Sequence, residues 1–296
     1  MVCACIDIGS NTTRLLVAEP VEGRLRELLR QRAFTRIGKG LKSDDRISSK
    51  KIAEVAEVVA TQVRLAEELG TESIRAVATA AIREAANQDE LVDAIHDASG
   101  VEVHVLSDED EARLSFLGAT KALERAPAGE VAVVDVGGAS TEIAYGTQSG
   151  GVRWSASFRV GSGFLADSYL YSDPPSAEEL HNVREHVGGS FEGFDLATPE
   201  LAIAVGGSAT SLRRLVGAML EHETLERGIR ILASTPVEEV ASQFELEPER
   251  VRLLPGGMLI FEEISDKLGV PLLIGRAGLR EGVILDLLSV RGAGIA

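Results

Sequence analysis

A short glycine-containing turn between two apolar runs is written twice in this chain, as Asp7-Ile8-Gly9-Ser10-Asn11-Thr12-Thr13 and as Asp135-Val136-Gly137-Gly138-Ala139-Ser140-Thr141. In each copy an apolar run (Ala4 to Ile6; Val131 to Val134) leads into Asp-x-Gly and small hydroxyl residues, and a second apolar run follows (Leu15 to Ala18; Ile143 to Tyr145). Each reads as a β-hairpin with a tight loop. Gly9 and Gly137 allow backbone angles that a Cβ forbids, so successive N–H groups can converge on an anion while Ser and Thr hydroxyls add donors. The Asp at the strand end can hold a metal or a water. One such copy alone reads as an ordinary hairpin turn; two copies predict related halves that face each other across a phosphate-binding cleft.

At 296 residues the chain has room for two domains of ordinary size. Apolar residues make up 45% and aromatics 4%, so the core is mainly Val, Leu, Ile and Ala. No apolar run approaches the roughly 20 residues of a membrane helix. No charged segment followed by a long apolar stretch opens the sequence, and a cytoplasmic protein without a membrane partner is expected. Cys3 and Cys5 share one face of the first strand and are expected to be buried and reduced. The five histidines show no metal-ligand spacing.

The formal charge of −16 argues against a nucleic-acid partner, because duplex binding needs a basic surface. An anionic substrate remains compatible, held by backbone amides, a divalent cation and local basic residues. Arg14, Arg32, Arg36, Lys39, Lys42 and Arg83 are the candidates, although each taken singly reads as a solvated surface charge.

Strand and helix patterns alternate along the chain in the manner of an α/β fold. Ile52, Val55, Val59, Val63, Ala66 and Leu69 recur at helical spacing before Gly70, and Ile74 to Ala78 reads as a strand. Asn87 with Glu90 predicts a capping box, Val101 to Leu106 a strand, and Ser107 the cap of a helix to about Leu123. Pro127 and Gly129 mark a domain boundary within residues 124–130. Beyond it come a strand at Val152 to Val160, a turn at Ser172 to Pro175, and a helix capped by Ser176. The strand Leu201 to Val205 runs into Gly206-Gly207-Ser208-Ala209-Thr210-Ser211, a strand–glycine–helix junction of the kind that contacts phosphate. Thr235-Pro236 opens a further helix, Pro255-Gly256-Gly257 precedes another, and Leu279 to Leu288 closes the chain.

Several stretches together resemble the exopolyphosphatase and guanosine pentaphosphate phosphohydrolase (Ppx/GppA) phosphatases of the actin, sugar kinase and Hsp70 superfamily. They are Ile6-Asp7-Ile8-Gly9-Ser10-Asn11, Val77-Ala78-Thr79-Ala80-Ala81-Ile82-Arg83-Glu84-Ala85, Glu111-Ala112-Arg113-Leu114, Val134-Asp135-Val136-Gly137-Gly138 with Ser140-Thr141-Glu142, Leu254-Pro255-Gly256-Gly257 and Gly278-Leu279-Arg280-Glu281-Gly282. The resemblance implies an α/β protein of two actin-like (ribonuclease H-like, ASKHA) domains flanking the cleft. It places domain I at 1–124, with a helix at about 283–296 packing back on it, and domain II at 125–282, a short form of the family. It implies Glu111 as general base, with Asp135 and Glu142 holding Mg²⁺ (or Mn²⁺) and Asp7 assisting. Phosphate would be bound by Gly9, Ser10, Asn11, Thr12, Arg83, Gly137, Gly138, Ala139, Ser140, Thr141, Gly207 and Ser208. Inorganic polyphosphate or pppGpp is the implied substrate and a homodimer the implied assembly.

Three positions depart from that family pattern. Ala139 stands where a third glycine is usual, Ser107-Asp108-Glu109-Asp110 replaces the commoner Ser-Gly-x-Glu, and Gly275-Arg276 replaces a frequent Ser-acid pair. Neither a reactive cysteine nor a Gly-x-Ser-x-Gly elbow points to a covalent intermediate, so direct attack by water is expected. The resulting expectation is an exopolyphosphatase that prefers short chains. The alternatives are a pppGpp phosphohydrolase, a weakly active sensor of polyphosphate or alarmone, and a small-molecule kinase using the same loops.

Overall fold

The computed structural model describes residues 1–38, 45–290 and 292; Lys39, Lys42 and the part of the expected closing helix at residues 291 and 293–296 lie outside them. The chain divides into two compact units, one made of Met1–Ala122 and Ala277–Ala296 and the other of Leu123–Arg276.

The first unit begins with β1 (Cys3–Ile8), β2 (Thr13–Val21) and β3 (Arg24–Ala33), then α1 (Ser49–Glu68), β4 (Ser73–Ala78), α2 (Ala80–Arg83), α3 (Gln88–Ser99), β5 (Val103–Val105) and α4 (Asp108–Lys121). All six residues of β1 are buried, so its side chains serve two cores on opposite faces of the sheet. Ala4, Ile6 and Ile8 pack with Val55, Val59 and Val63 of α1 and with Leu91 and Ile95 of α3. Cys3 and Cys5 face the other way, onto Leu114 of α4 and onto Val283, Ile284 and Leu287, which belong to the last helix. Both cysteines are buried thiols, and burial raises that of Cys5 well above its ordinary value.

The second unit contains β6 (Val131–Val136), β7 (Thr141–Thr147), β8 (Gly151–Phe158), α5 (Ser162–Tyr169), α6 (Ala177–Ser190), β9 (Leu201–Val205), α7 (Gly206–Val216), β10 (Met219–Leu220), α8 (His222–Ser234), α9 (Val237–Phe244), α10 (Pro248–Val251), α11 (Leu254–Leu268) and β11 (Leu272–Ile274). The chain then re-enters the first unit as α12 (Leu279–Val290), which packs on α4 and β1.

The two sheets repeat one plan. In the order β3-β2-β1-β4-β5, a three-stranded antiparallel meander is continued by parallel strands; in β10-β11-β9-β6-β7-β8, strands β8, β7, β6, β9 and β11 do the same. Each glycine loop is the first hairpin of its meander, which sets it at the end of the central strand.

Some local expectations change on the structure. The 101–106 strand shortens to β5. Asn87 stands at the start of α3 but does not cap it: its amide accepts from Ile47 N (2.8 Å) and donates to Ile47 O (3.1 Å) and Glu90 Oε2 (3.0 Å). That buried backbone pair outcompetes the helix end for the side chain. Thr235 ends α8, and it is Pro236 that precedes α9. Pro255-Gly256-Gly257 lies inside the first turn of α11, where proline is tolerated and the glycines let Leu165 and Ser208 approach. The Ser176 cap of α6 forms as read, with Glu179 completing a capping box.

Candidate active site

In the first loop Gly9 N donates to Thr12 O (3.0 Å), and in the second Gly137 N donates to Ser140 O (2.9 Å). Neither Gly9 nor Gly137 has a positive φ, contrary to the expectation from sequence. What crowds a side chain is the facing carbonyl: a Cβ would lie 3.3 Å from Thr12 O at Gly9 and 3.0 Å from Ser140 O at Gly137.

Both loops aim their amides by the same device. In the first, Ser10 O accepts from Gly38 N (2.9 Å) and Asn11 O from Arg36 N (3.0 Å). In the second, Gly137 O accepts from Ser162 N (3.0 Å) and Gly138 O from Phe164 N (2.9 Å), both in the first turn of α5. A trans peptide points its N–H opposite to its C=O. Two consecutive carbonyls tied back therefore turn the N–H groups of Asn11 and Thr12, and of Gly138 and Ala139, away from the supporting segment and toward one side, as an anion nest requires. The alanine at 139 keeps its amide and takes no positive φ, so this departure leaves the nest intact.

The hydroxyls divide differently from the sequence reading. Thr12 Oγ1 accepts from Arg14 Nε (2.9 Å). Thr141, fully buried, donates to Val160 O (2.6 Å), so its hydroxyl serves the fold rather than the loop surface. Ser208 is also turned inward and donates to Ser162 Oγ (3.1 Å), which in turn donates to Gly137 O (3.0 Å). Gly207 O accepts from Ser211 Oγ within α7. Ser10 and Asn11 are partly exposed at the tip of the first loop, and Ser140 is buried at the base of the second.

The acids at the strand ends have contrasting neighbours. Asp7 is paired in register with Arg14 across β1 and β2, whereas Asp135 is paired with Glu142 across β6 and β7. Glu142, in turn, lies opposite Ser157 of β8 and accepts from its hydroxyl (3.1 Å). Asp135 also abuts the start of α7: Gly206 has φ +85°, and a Cβ there would meet Asp135 Oδ1 at 2.2 Å. The positive end of α7 favours that carboxylate. Directly opposed carboxylates repel, and a hard divalent cation relieves such a pair. Mg²⁺ commonly takes one or two carboxylates and completes its shell with water and phosphate oxygens, so this donor set fits it. No group of three or more His, Cys, Asp or Glu side chains gathers for a metal among the described residues. Asp7 is buried, and burial raises its carboxyl above the ordinary value against the pull of Arg14 and Arg280.

Glu111 lies in the first turn of α4, which Ser107 caps through Asp110 N (3.1 Å), and is only 7% exposed. Arg83 Nη1 donates to Glu111 Oε2 (3.2 Å) and to Leu106 O (2.7 Å), while Nη2 donates to Asp108 Oδ1. The sequence treated Arg83 and Glu111 as separate motifs; the structure joins them. It adds Thr79, whose Oγ1 would lie 3.9 Å from a Cβ on Gly9, and the supports Ser157 and Ser162, which no local pattern flagged.

The Ppx/GppA phosphatase family model matches residues 16–290. The chain belongs to the Ppx/GppA phosphatase family. This Ppx/GppA phosphatase is a phosphoanhydride hydrolase. It is 29% identical to Exopolyphosphatase 2 of Mycobacterium tuberculosis over 317 aligned residues, covering 98% of each chain. It is 26% identical to Exopolyphosphatase 1 of Mycobacterium leprae, covering 98% of this chain and 91% of that one. The crystal structure of the Aquifex aeolicus Ppx/GppA family member superposes with a TM-score of 0.83 at 29% identity over 98% of each chain. An exopolyphosphatase from Cytophaga hutchinsonii shares the fold at a TM-score of 0.87 and 19% identity, covering all of both chains.

Proposed function

We propose that this phosphatase is an exopolyphosphatase that hydrolyses the terminal phosphate of inorganic polyphosphate by direct attack of water. The observation that carries the reading is the join, in one hairpin, of an amide nest to an opposed Asp135–Glu142 pair, receivers for an anion and for a hard cation only a few residues apart. The relatives named exopolyphosphatase over nearly their full length support the same substrate class.

In this mechanism Glu111 accepts the proton of the attacking water, a new P–O bond forms, and the terminal anhydride P–O bond breaks, releasing orthophosphate and a chain one phosphate shorter. The amides of Gly138 and Ala139 hold phosphoryl oxygens and absorb the charge that grows on them; within the first unit the amides of Asn11 and Thr12, with Arg83, offer phosphate the same kind of donors. Asp135 and Glu142 would hold Mg²⁺ or Mn²⁺, which when bound neutralises phosphate charge. Asp7, buried and in register with Arg14, is not assigned to the metal.

A phosphate-release assay with polyphosphate, pppGpp and ATP, with and without chelator, tests the proposal. Metal-dependent release from polyphosphate is expected; full release in excess chelator, or release from ATP or pppGpp alone, would overturn it. Glu111→Gln should lower turnover by about 10²-fold or more while leaving substrate affinity within about threefold. A parallel loss of affinity and rate would assign Glu111 to binding.

A further inference from the structure

We propose that Asp108 sets the affinity of the site for its anionic substrate by competing for Arg83, an inference that rests on the phosphate-binding role given to Arg83 above. The guanidinium is a planar fork with five N–H donors. Here three of its contacts are made to this chain: Nη1 to Leu106 O and to Glu111, and Nη2 to Asp108.

The two acids differ in standing. Glu111 is buried, with its side chain 9% exposed, and Arg83 itself is 21% exposed; the Asp108 side chain is 54% exposed. A buried ion pair resists separation because either member would be left desolvated, whereas an exposed pair is held weakly. A phosphoryl oxygen that reaches Arg83 therefore displaces Asp108 and leaves Glu111 in place. Until it does, the guanidinium carries two carboxylates, and the trio has a net negative charge facing an incoming polyanion. Asp108 heads α4, so its backbone is fixed by the helix while its side chain turns. It thus acts as an exchangeable stand-in for phosphate, lowering affinity without touching the reacting atoms.

The test compares Asp108→Asn and Asp108→Ser with Glu109→Gln, which removes the same charge from the neighbouring exposed position of the same helical turn. Binding is measured calorimetrically with Mg²⁺ and an imido-bridged tripolyphosphate analogue that is not hydrolysed. Both Asp108 variants should bind about threefold to fivefold more tightly than wild type, the scale of one exposed charge contact. Glu109→Gln should stay within about 1.5-fold. In an Arg83→Lys background, which keeps the charge but loses the fork, the Asp108 gain should disappear. Unchanged affinity of the Asp108 variants, an equal gain in Glu109→Gln, or a gain that persists without Arg83 would each overturn the proposal. Phosphate release by the wild type from ordinary tripolyphosphate tests the underlying phosphatase reading separately.

Discussion

Asp7 and Asp135 hold the same position in a repeated hairpin, and one residue decides what each can do: Arg14 opposite the first, Glu142 opposite the second. Because burial raises the Asp7 carboxyl, the folded protein retains that proton at pH values where the unfolded chain, near 3.8, has released it. The folded state then binds more protons than the unfolded one, so stability from this group is full below the unfolded value and is lost as pH rises through the folded one. Asp7→Asn should accordingly raise the Tm near neutral pH by more than it does near pH 4. Thermal melts across that range check it, and a shift independent of pH would contradict the burial argument. The aspartates and the glycines were legible in the sequence because the Asp-x-Gly spacing repeats. The carbonyl ties were not, since Arg36, Gly38, Ser162 and Phe164 approach the loops from segments with no motif of their own.

Glycines that look alike in sequence do opposite work in the helices. At the crossing of α4 and α12, a Cβ on Gly118 would sit 2.0 Å from Gly278 O, and one on Gly282 would sit 1.8 Å from Leu114 O. Backbone atoms on both sides leave no rotamer by which the contact can relax, so Gly282→Ala should destabilise the protein by about 3 kcal/mol, the upper end of ordinary overpacking. In α6, a Cβ on Gly188 or Gly189 meets nothing within 4 Å. Alanine there should stabilise by roughly 0.5–1 kcal/mol through helix propensity and the unfolded chain. Denaturant unfolding of both variants separates the cases; equal signs would refute the packing account. The helices themselves were readable from apolar spacing, as in α1, where Ile52, Val55, Val59, Val63 and Ala66 are all buried. Their closest contacts were not, because a glycine needed for a crossing depends on a partner distant in the chain.

Over the whole molecule the charge of −16 sets a limit on how polyphosphate is held. A long chain carries about one negative charge per phosphate and needs an extended basic track, which a strongly acidic surface opposes. Grip should be confined to the few phosphates near the loops, making hydrolysis distributive and short chains at least as good as long ones. Product lengths followed on a gel from a defined long chain should form a descending ladder; untouched long chains beside fully degraded product would exclude this.

The return of α12 to the first unit also bears on the order of events during synthesis. Cys5, Leu16, Val77 and Leu114 are covered by Val283, Ile284 and Leu287, which are translated only after the whole second unit. At ~5–20 residues per second, the ribosome leaves that apolar face waiting on the order of ten seconds or more. The second unit, continuous in sequence, can finish folding within that interval, while the first to be started is the last to close.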